Sequence, residues 1–123
     1  MRTALLVAAV VLAFLGCGGA REGGPCSGAV YRCDGPSTVL ECRDGAWFAL
    51  PCSGTKGCSS VAGGVSCDIT SNAVGDACPT AMEGTGFCRG SPPSIFACQD
   101  LQLVKVADCS SCIVGTGSIV CNP

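Results

Sequence analysis

The 123-residue chain has no histidine, only one Trp, one Tyr and four Phe, and just seven Lys or Arg against nine Asp or Glu. Each shortage excludes a class of function. Without an imidazole, a Ser or Cys nucleophile has no common general base, and the paired carboxylates that remain, Glu41 with Asp44 and Asp100 with Asp108, flank turns and read as solvated caps. The basic residues stand singly, so no stripe exists to neutralise phosphates and nucleic acid is excluded as a partner. Large apolar side chains are too few to order the chain by burial alone. A non-catalytic protein without cofactor or metal is expected.

What the chain has instead is glycine, 18 residues, and cysteine, 13 residues. That cysteine density marks a disulfide scaffold made in an oxidising compartment. The N-terminus agrees: Arg2 is followed by the apolar run Ala4 to Leu15, twelve residues where about 20 are needed to span a bilayer. The segment ending Phe14-Leu15-Gly16-Cys17 resembles the bacterial lipobox, with Phe14 as its departure. The resemblance implies cleavage after residue 16 and a diacylglyceryl group on Cys17; a conventional cut after Ala20 stays open. Removing Cys17 leaves an even twelve cysteines. On this reading residues 1–16 are the signal peptide and 17–25 a flexible lipidated linker. Gly18, with no Asp there to signal inner-membrane retention, favours the outer membrane over the inner one, with secretion as the alternative.

The twelve cysteines fall into two copies of one pattern. Cys26, Cys33, Cys42, Cys52, Cys58 and Cys67 match Cys78, Cys88, Cys98, Cys109, Cys112 and Cys121, with a first-to-first spacing of 78 − 26 = 52. Cys33-Asp34-Gly35 aligns with Cys88-Arg89-Gly90, and Val39-Leu40-Glu41-Cys42 with Ile95-Phe96-Ala97-Cys98. Both copies place eight residues between their last two cysteines. The modules are expected at 26–68 and 76–123, joined by a short linker over 69–75.

Within a copy, short β-favouring runs alternate with turn signals. Val30 to Cys33, Thr38 to Cys42, Ala46 to Leu50 and Val65 to Cys67 read as strands, separated by Asp34-Gly35-Pro36, Arg43-Asp44-Gly45 and the loop Ser53 to Gly57. In the second copy Gly86 to Cys88, Ile95 to Cys98, Leu101 to Val106 and Ser118 to Cys121 take those places. No convincing helical period appears. The fold class is therefore small, disulfide-rich and mostly β: two tandem six-cysteine antiparallel modules. Six cysteines admit more than a dozen connectivities, and spacing alone does not choose among them. The sequence proximity of the fourth and fifth cysteines hints at Cys52 with Cys58 and Cys109 with Cys112, completed by Cys26 with Cys42, Cys33 with Cys67, Cys78 with Cys98 and Cys88 with Cys121.

Tyr31, Trp47 and Phe48 are the candidate ligand-binding residues, since flat aromatic faces stack on sugar rings or anchor protein partners. Trp47 and Phe48 point to opposite faces of a strand, so one is core and the other exposed. Tyr31-x-Cys33-Asp34-Gly35 followed by Glu41-Cys42-Arg43-Asp44-Gly45-x-Trp47-Phe48 and Cys52 resembles the peritrophin-type chitin-binding module. That resemblance implies first-third, second-sixth and fourth-fifth bridging and a sugar site on Tyr31, Trp47 and Phe48. Over its whole length the chain is similar to short cysteine-rich bacterial lipoproteins with tandem modules. The expected role is binding, to a polysaccharide or a cell-surface protein. The alternatives are a protease inhibitor presenting Ser53 to Gly57, and a thiol-disulfide oxidoreductase using Cys109 and Cys112.

Overall fold

The computed structural model describes residues 19–123. Residues 1–16 and Cys17 lie outside them. The described chain is all β apart from one 3₁₀ turn, and it falls into two halves of the same design. In the first, β1 (Tyr31–Cys33), β2 (Thr38–Arg43) and β3 (Ala46–Pro51) form an antiparallel sheet in the order β1-β2-β3, and β4 (Cys58–Val61) pairs with β5 (Gly64–Cys67) as a hairpin. In the second, β6 (Gly86–Arg89), β7 (Ser94–Gln99) and β8 (Gln102–Asp108) form the sheet, and β9 (Ser111–Gly115) with β10 (Ser118–Asn122) form the hairpin.

The repeat holds at the level of register. Glu41 lies between Tyr31 and Phe48, as Ala97 lies between Gly86 and Val104. Cys42 faces Trp47 as Cys98 faces Leu103. It extends to the backbone that leads into each copy: Gly23 and Cys26 donate to the carbonyls of Trp47 and Gly45, and Trp47 donates back to Gly24. Gly75 and Cys78 donate to Leu103 and Leu101, and Leu103 donates back to Asp76. Each module therefore begins about three residues before its first cysteine. The stretch expected as a flexible linker, residues 17–25, is instead docked on β3 from Gly23 onward, because the edge of β3 offers unpaired backbone groups that this strap satisfies.

The linker 69–75 is also part of the fold. Ile69 is buried with Cys78, Phe96, Cys98 and Leu103 in the core of the second half. Asn72, 1% exposed, gives its amide to the carbonyl of Pro51 (2.9 Å) and accepts from the backbone N–H of Ser53 (2.9 Å), so it closes the first half. Arg89 fixes the same linker from the other side, donating to the carbonyls of Thr70 (3.1 Å) and Asn72 (2.6 Å) while its guanidinium lies over the Phe96 ring.

Two strands were not expected, β4 and β9, and they change the disulfide pairing. The bridges are Cys26–Cys42, Cys33–Cys58 and Cys52–Cys67, then Cys78–Cys98, Cys88–Cys112 and Cys109–Cys121. The first-third bridges are as expected. The expected Cys33–Cys67, Cys52–Cys58, Cys88–Cys121 and Cys109–Cys112 are corrected to second-fifth and fourth-sixth. Because β4 pairs with β5, Cys58 sits directly opposite Cys67, as Cys112 sits opposite Cys121. The two cysteines of each hairpin then reach out separately, one to the strand β1 or β6 and one to the end of β3 or β8.

The hairpin turns show why one copy was easier to read than the other. Asp44 and Gly45 occupy a two-residue turn with φ of 49° and 80°, the Asp-Gly signal for that geometry. In the second copy the turn is Asp100-Leu101, with φ of 51° and 60°. A leucine is disfavoured there. The Glu83 carboxylate offsets this by accepting from both backbone N–H groups at 2.8 Å. Leu101 is therefore a turn residue rather than the start of the strand.

Candidate binding site

The two faces of the first sheet have different fates. One carries Leu40, Cys42 and Trp47, which form a buried cluster with Ala20, Cys26 and Ala49 packed against it. Trp47 is 8% exposed. The other face carries Tyr31, Val39, Glu41, Arg43, Phe48 and Leu50, and the start of the second half lies on it. Ala77 packs against the Val39, Leu50, Cys52 and Cys58 cluster. The Arg43 guanidinium donates to the carbonyl of Cys78 (2.7 Å), the Glu41 carboxylate accepts from the Thr80 N–H (2.6 Å) and hydroxyl (3.0 Å), and the Ala81 N–H donates to the Tyr31 hydroxyl (3.0 Å). Within the face, Tyr31 donates to Glu41 and Arg43 pairs with it.

Glu41 is thus buried, 3% exposed, and not the solvated cap that its place before a turn implies. The burial is tolerated because both carboxylate oxygens are filled by hydrogen-bond donors and by a guanidinium. The signal was present only in the second copy: position 97 is alanine, and a residue that alternates between acid and alanine across equivalent strands is decided by what covers it.

The three aromatic candidates are not brought together as a platform. Trp47 is buried on one face, and the Tyr31 hydroxyl is occupied between Glu41 and Ala81 on the other. Phe48 alone remains open, 43% exposed with the Arg43 guanidinium 4.7 Å from its ring centre. Cys109 and Cys112 are bonded to Cys121 and Cys88 and not to each other, so they form no C-x-x-C redox pair. The loop Ser53 to Gly57 keeps Ser53, Thr55 and Lys56 exposed and is pinned by its two glycines. Gly54 and Gly57 are buried, and Gly57, with φ of 57°, presses against the Pro36 carbonyl so closely that a Cβ would clash.

The Asp68 carboxylate lies beside that loop, accepting from the Thr70 hydroxyl (2.7 Å) and N–H (3.0 Å) and from the Lys56 N–H (3.1 Å). These bonds, those of Thr70 first, hold it below the usual aspartate range. Lys105 and Ser94 do the same for Asp108. A depressed folded value means that the unfolded chain binds more protons in acid. The stabilisation is complete above the unfolded value near pH 4 and is lost as pH falls through the folded one. Asp68→Asn is expected to flatten the acid limb of a stability-versus-pH curve below about pH 4 and to leave its neutral part nearly level; denaturant midpoints from pH 2 to 7 measure this.

The feature that sequence reasoning missed is a cleft in the second half. It has a volume of about 600 Å³ and is lined by Gly86, Ile95, Ala97, Val106, Val114 and Ile119, with Thr85, Gln99 and Ser118 as its polar members and no charged side chain. By register and cysteine alignment these positions correspond to the covered face of the first half: Gly86 to Tyr31, Ile95 to Val39, Ala97 to Glu41, Gln99 to Arg43 and Ile119 to Val65. Where the first half has a tyrosine and a glutamate, the second has no side chain and a methyl group, and the space they leave is the cleft. Val106 and Val114 on its walls are exposed. Among the described residues no cluster of three or more Cys, Asp or Glu is placed to hold a metal ion.

Fold and bridges together define a small, disulfide-rich, all-β extracytoplasmic protein built in two halves from antiparallel sheets. No family model, no curated protein sequence and no solved structure matches the chain.

Proposed function

We propose that this is a non-catalytic binding protein of the bacterial cell envelope, anchored through a lipid on Cys17 in the outer membrane and offering the cleft of its second half to a protein ligand. The cleft carries the reading. It is concave, mostly apolar and uncharged, it is built on a sheet held by three disulfides, and its volume is in the usual range of binding sites. A protein ligand fits it better than a polysaccharide, because sugar recognition calls for polar groups beside an aromatic face, and only Phe48 of the three aromatics stays open. The lipid anchor is supported by arithmetic: the twelve cysteines from Cys26 to Cys121 pair among themselves, as the lipobox reading of Cys17 requires.

The test has two arms on the exported, oxidised protein. Membrane fractionation is expected to find it in the detergent phase, and Cys17→Ala to release it to the soluble fraction; an unchanged distribution overturns the anchor. The solvatochromic dye Nile red is expected to brighten on the soluble Cys17→Ala form and to lose most of that signal with Val106→Asp or Val114→Asp. A signal that these charges leave intact overturns the cleft as the binding surface.

A further inference from the structure

An anchor on Cys17 leaves very little chain to act as a tether. Ala20 is already packed against the Leu40, Cys42 and Trp47 cluster. Gly24 lies between the Arg21 side chain and the indole: a Cβ there would stand 3.3 Å from Arg21 Cγ and 3.8 Å from Trp47 Cδ1. From Cys17 to Ala20 the chain advances three residues, at most about 10 Å when fully extended. The polar headgroup layer of a bilayer is itself about 6 Å thick on each side. The face of the first sheet on which Ala20 rests is therefore held at the membrane surface rather than swung free of it.

What that face presents to solvent suits a phospholipid surface. Register puts Arg32 opposite Leu40, and Val30, whose carbonyl accepts from the Cys42 N–H, opposite Cys42, so both share the face of Leu40, Cys42 and Trp47. Val30 is 44% exposed, and Arg21 and Arg32 are exposed beside it. The other four cations of the described residues are engaged elsewhere: Arg43 pairs with Glu41, Lys105 with Asp108, Arg89 holds the linker and lies over Phe96, and Lys56 sits beside Asp68. The strap contributes one acid, Glu22, so two unpaired arginines flank the anchor in a chain whose formal net charge is −2. Resting on the lipid-anchor reading, we infer that this face lies directly on the bilayer, with Val30 in the headgroup layer and Arg21 and Arg32 against anionic phospholipid headgroups. The attraction of such cations falls off within a Debye length, a distance that the three-residue tether never exceeds. The opposite face of the same sheet is covered by Cys78, Thr80 and Ala81. The second half is thus entered on the side away from the membrane, which leaves its cleft to a protein ligand rather than to lipid.

The experiment uses the full exported protein, oxidised and lipidated, reconstituted from detergent into phosphatidylcholine and phosphatidylglycerol vesicles that carry a nitroxide on part of the headgroups. A nitroxide quenches an indole only at short range, and Trp47, the single tryptophan, lies under the strap. Trp47 is expected to lose most of its emission, while the indole of Trp47→Phe with Val114→Trp, on the cleft wall, keeps most of its own. Arg21→Glu with Arg32→Glu is expected to restore much of the Trp47 emission; both sites are exposed, and thermal melts check the fold. Because Trp47→Phe alters the core, hydrogen exchange gives the comparison without it. Relative to the soluble Cys17→Ala protein, the lipidated protein in vesicles is expected to exchange more slowly over residues 21–32 and at the same rate over 104–120. Equal quenching of the two indoles in a folded variant, unchanged exchange over 21–32, or Trp47 quenching that the double charge reversal leaves intact, overturns the proposal. Failure of the anchor is distinguishable: a protein that does not float with the vesicles, as Cys17→Ala does not, overturns both readings before any quenching is measured.

Discussion

Complete reduction is expected to unfold the protein, with loss of its sheet signal and a red shift of the single tryptophan. The six bridges close sequence separations from 12 to 25 residues, and on the loop-entropy account each constrains the unfolded chain by about 3 kcal/mol. A domain of this size is stable by roughly 5 to 15 kcal/mol in all, so six such constraints exceed what the small clusters can replace. Those clusters are built partly from the cystines themselves: Cys52 and Cys58 sit with Val39 and Leu50, Cys78 and Cys98 with Ile69, Phe96 and Leu103. Reduction therefore removes core atoms from their packed partners as well as the cross-links. Circular dichroism and Trp47 fluorescence during titration with a phosphine reductant measure this. The same sample, digested before reduction, gives the connectivity: peptides containing Cys33 are expected joined to Cys58, and those containing Cys88 to Cys112. Retained sheet structure after full reduction would mean that the apolar clusters suffice by themselves.

The pairing is also where the sequence was least legible. The duplication, the sheet class and eight of the ten strands' positions followed from cysteine spacing, Asp-Gly turns and β-branched runs. Ser59-Ser60 and Ser110-Ser111 carry no strand propensity. The strands that contain or border them, β4 and β9, are paired because the hairpin partners Val65 and Ile119 have apolar faces to cover. Missing those strands put Cys58 and Cys112 in loops, where a bridge to the preceding cysteine is natural. The aromatic site failed for a different reason. Strand alternation correctly separated Trp47 from Phe48, but which face the other half would cover depended on residues 77–81, contacts made across 30 to 50 positions of sequence. The cleft was illegible for the same reason inverted: it consists of side chains that are absent, glycine and alanine where the other copy has tyrosine and glutamate, and their meaning appears only once the two halves are superposed in register.

Glu41→Ala is expected to be the most damaging single substitution outside the cysteines. It removes the acceptor of the Tyr31 and Thr80 hydroxyls and of the Thr80 N–H, and it strips Arg43 of its counter-charge at a position where the guanidinium is three-quarters covered. Removing one member of a buried, hydrogen-bonded ion pair typically costs about 3 to 5 kcal/mol, most of it the burden of the charge left behind. The loss concerns the junction between the halves, because every one of those donors except Tyr31 and Arg43 belongs to the second half. Urea unfolding of the oxidised protein is therefore expected to show a midpoint falling sharply, and amide exchange at Thr80 and Ala81 accelerating before the β2 and β7 amides are affected. Tyr31→Phe removes one hydroxyl only and is expected to cost about 1 kcal/mol. The control is Glu41→Ala combined with Arg43→Gln, the residue pair that the second half carries as Ala97 and Gln99. With no stranded guanidinium, the double variant is expected to recover a large part of the loss; a double variant as unstable as Glu41→Ala would show that the Thr80 bonds, and not the unpaired charge, dominate the junction.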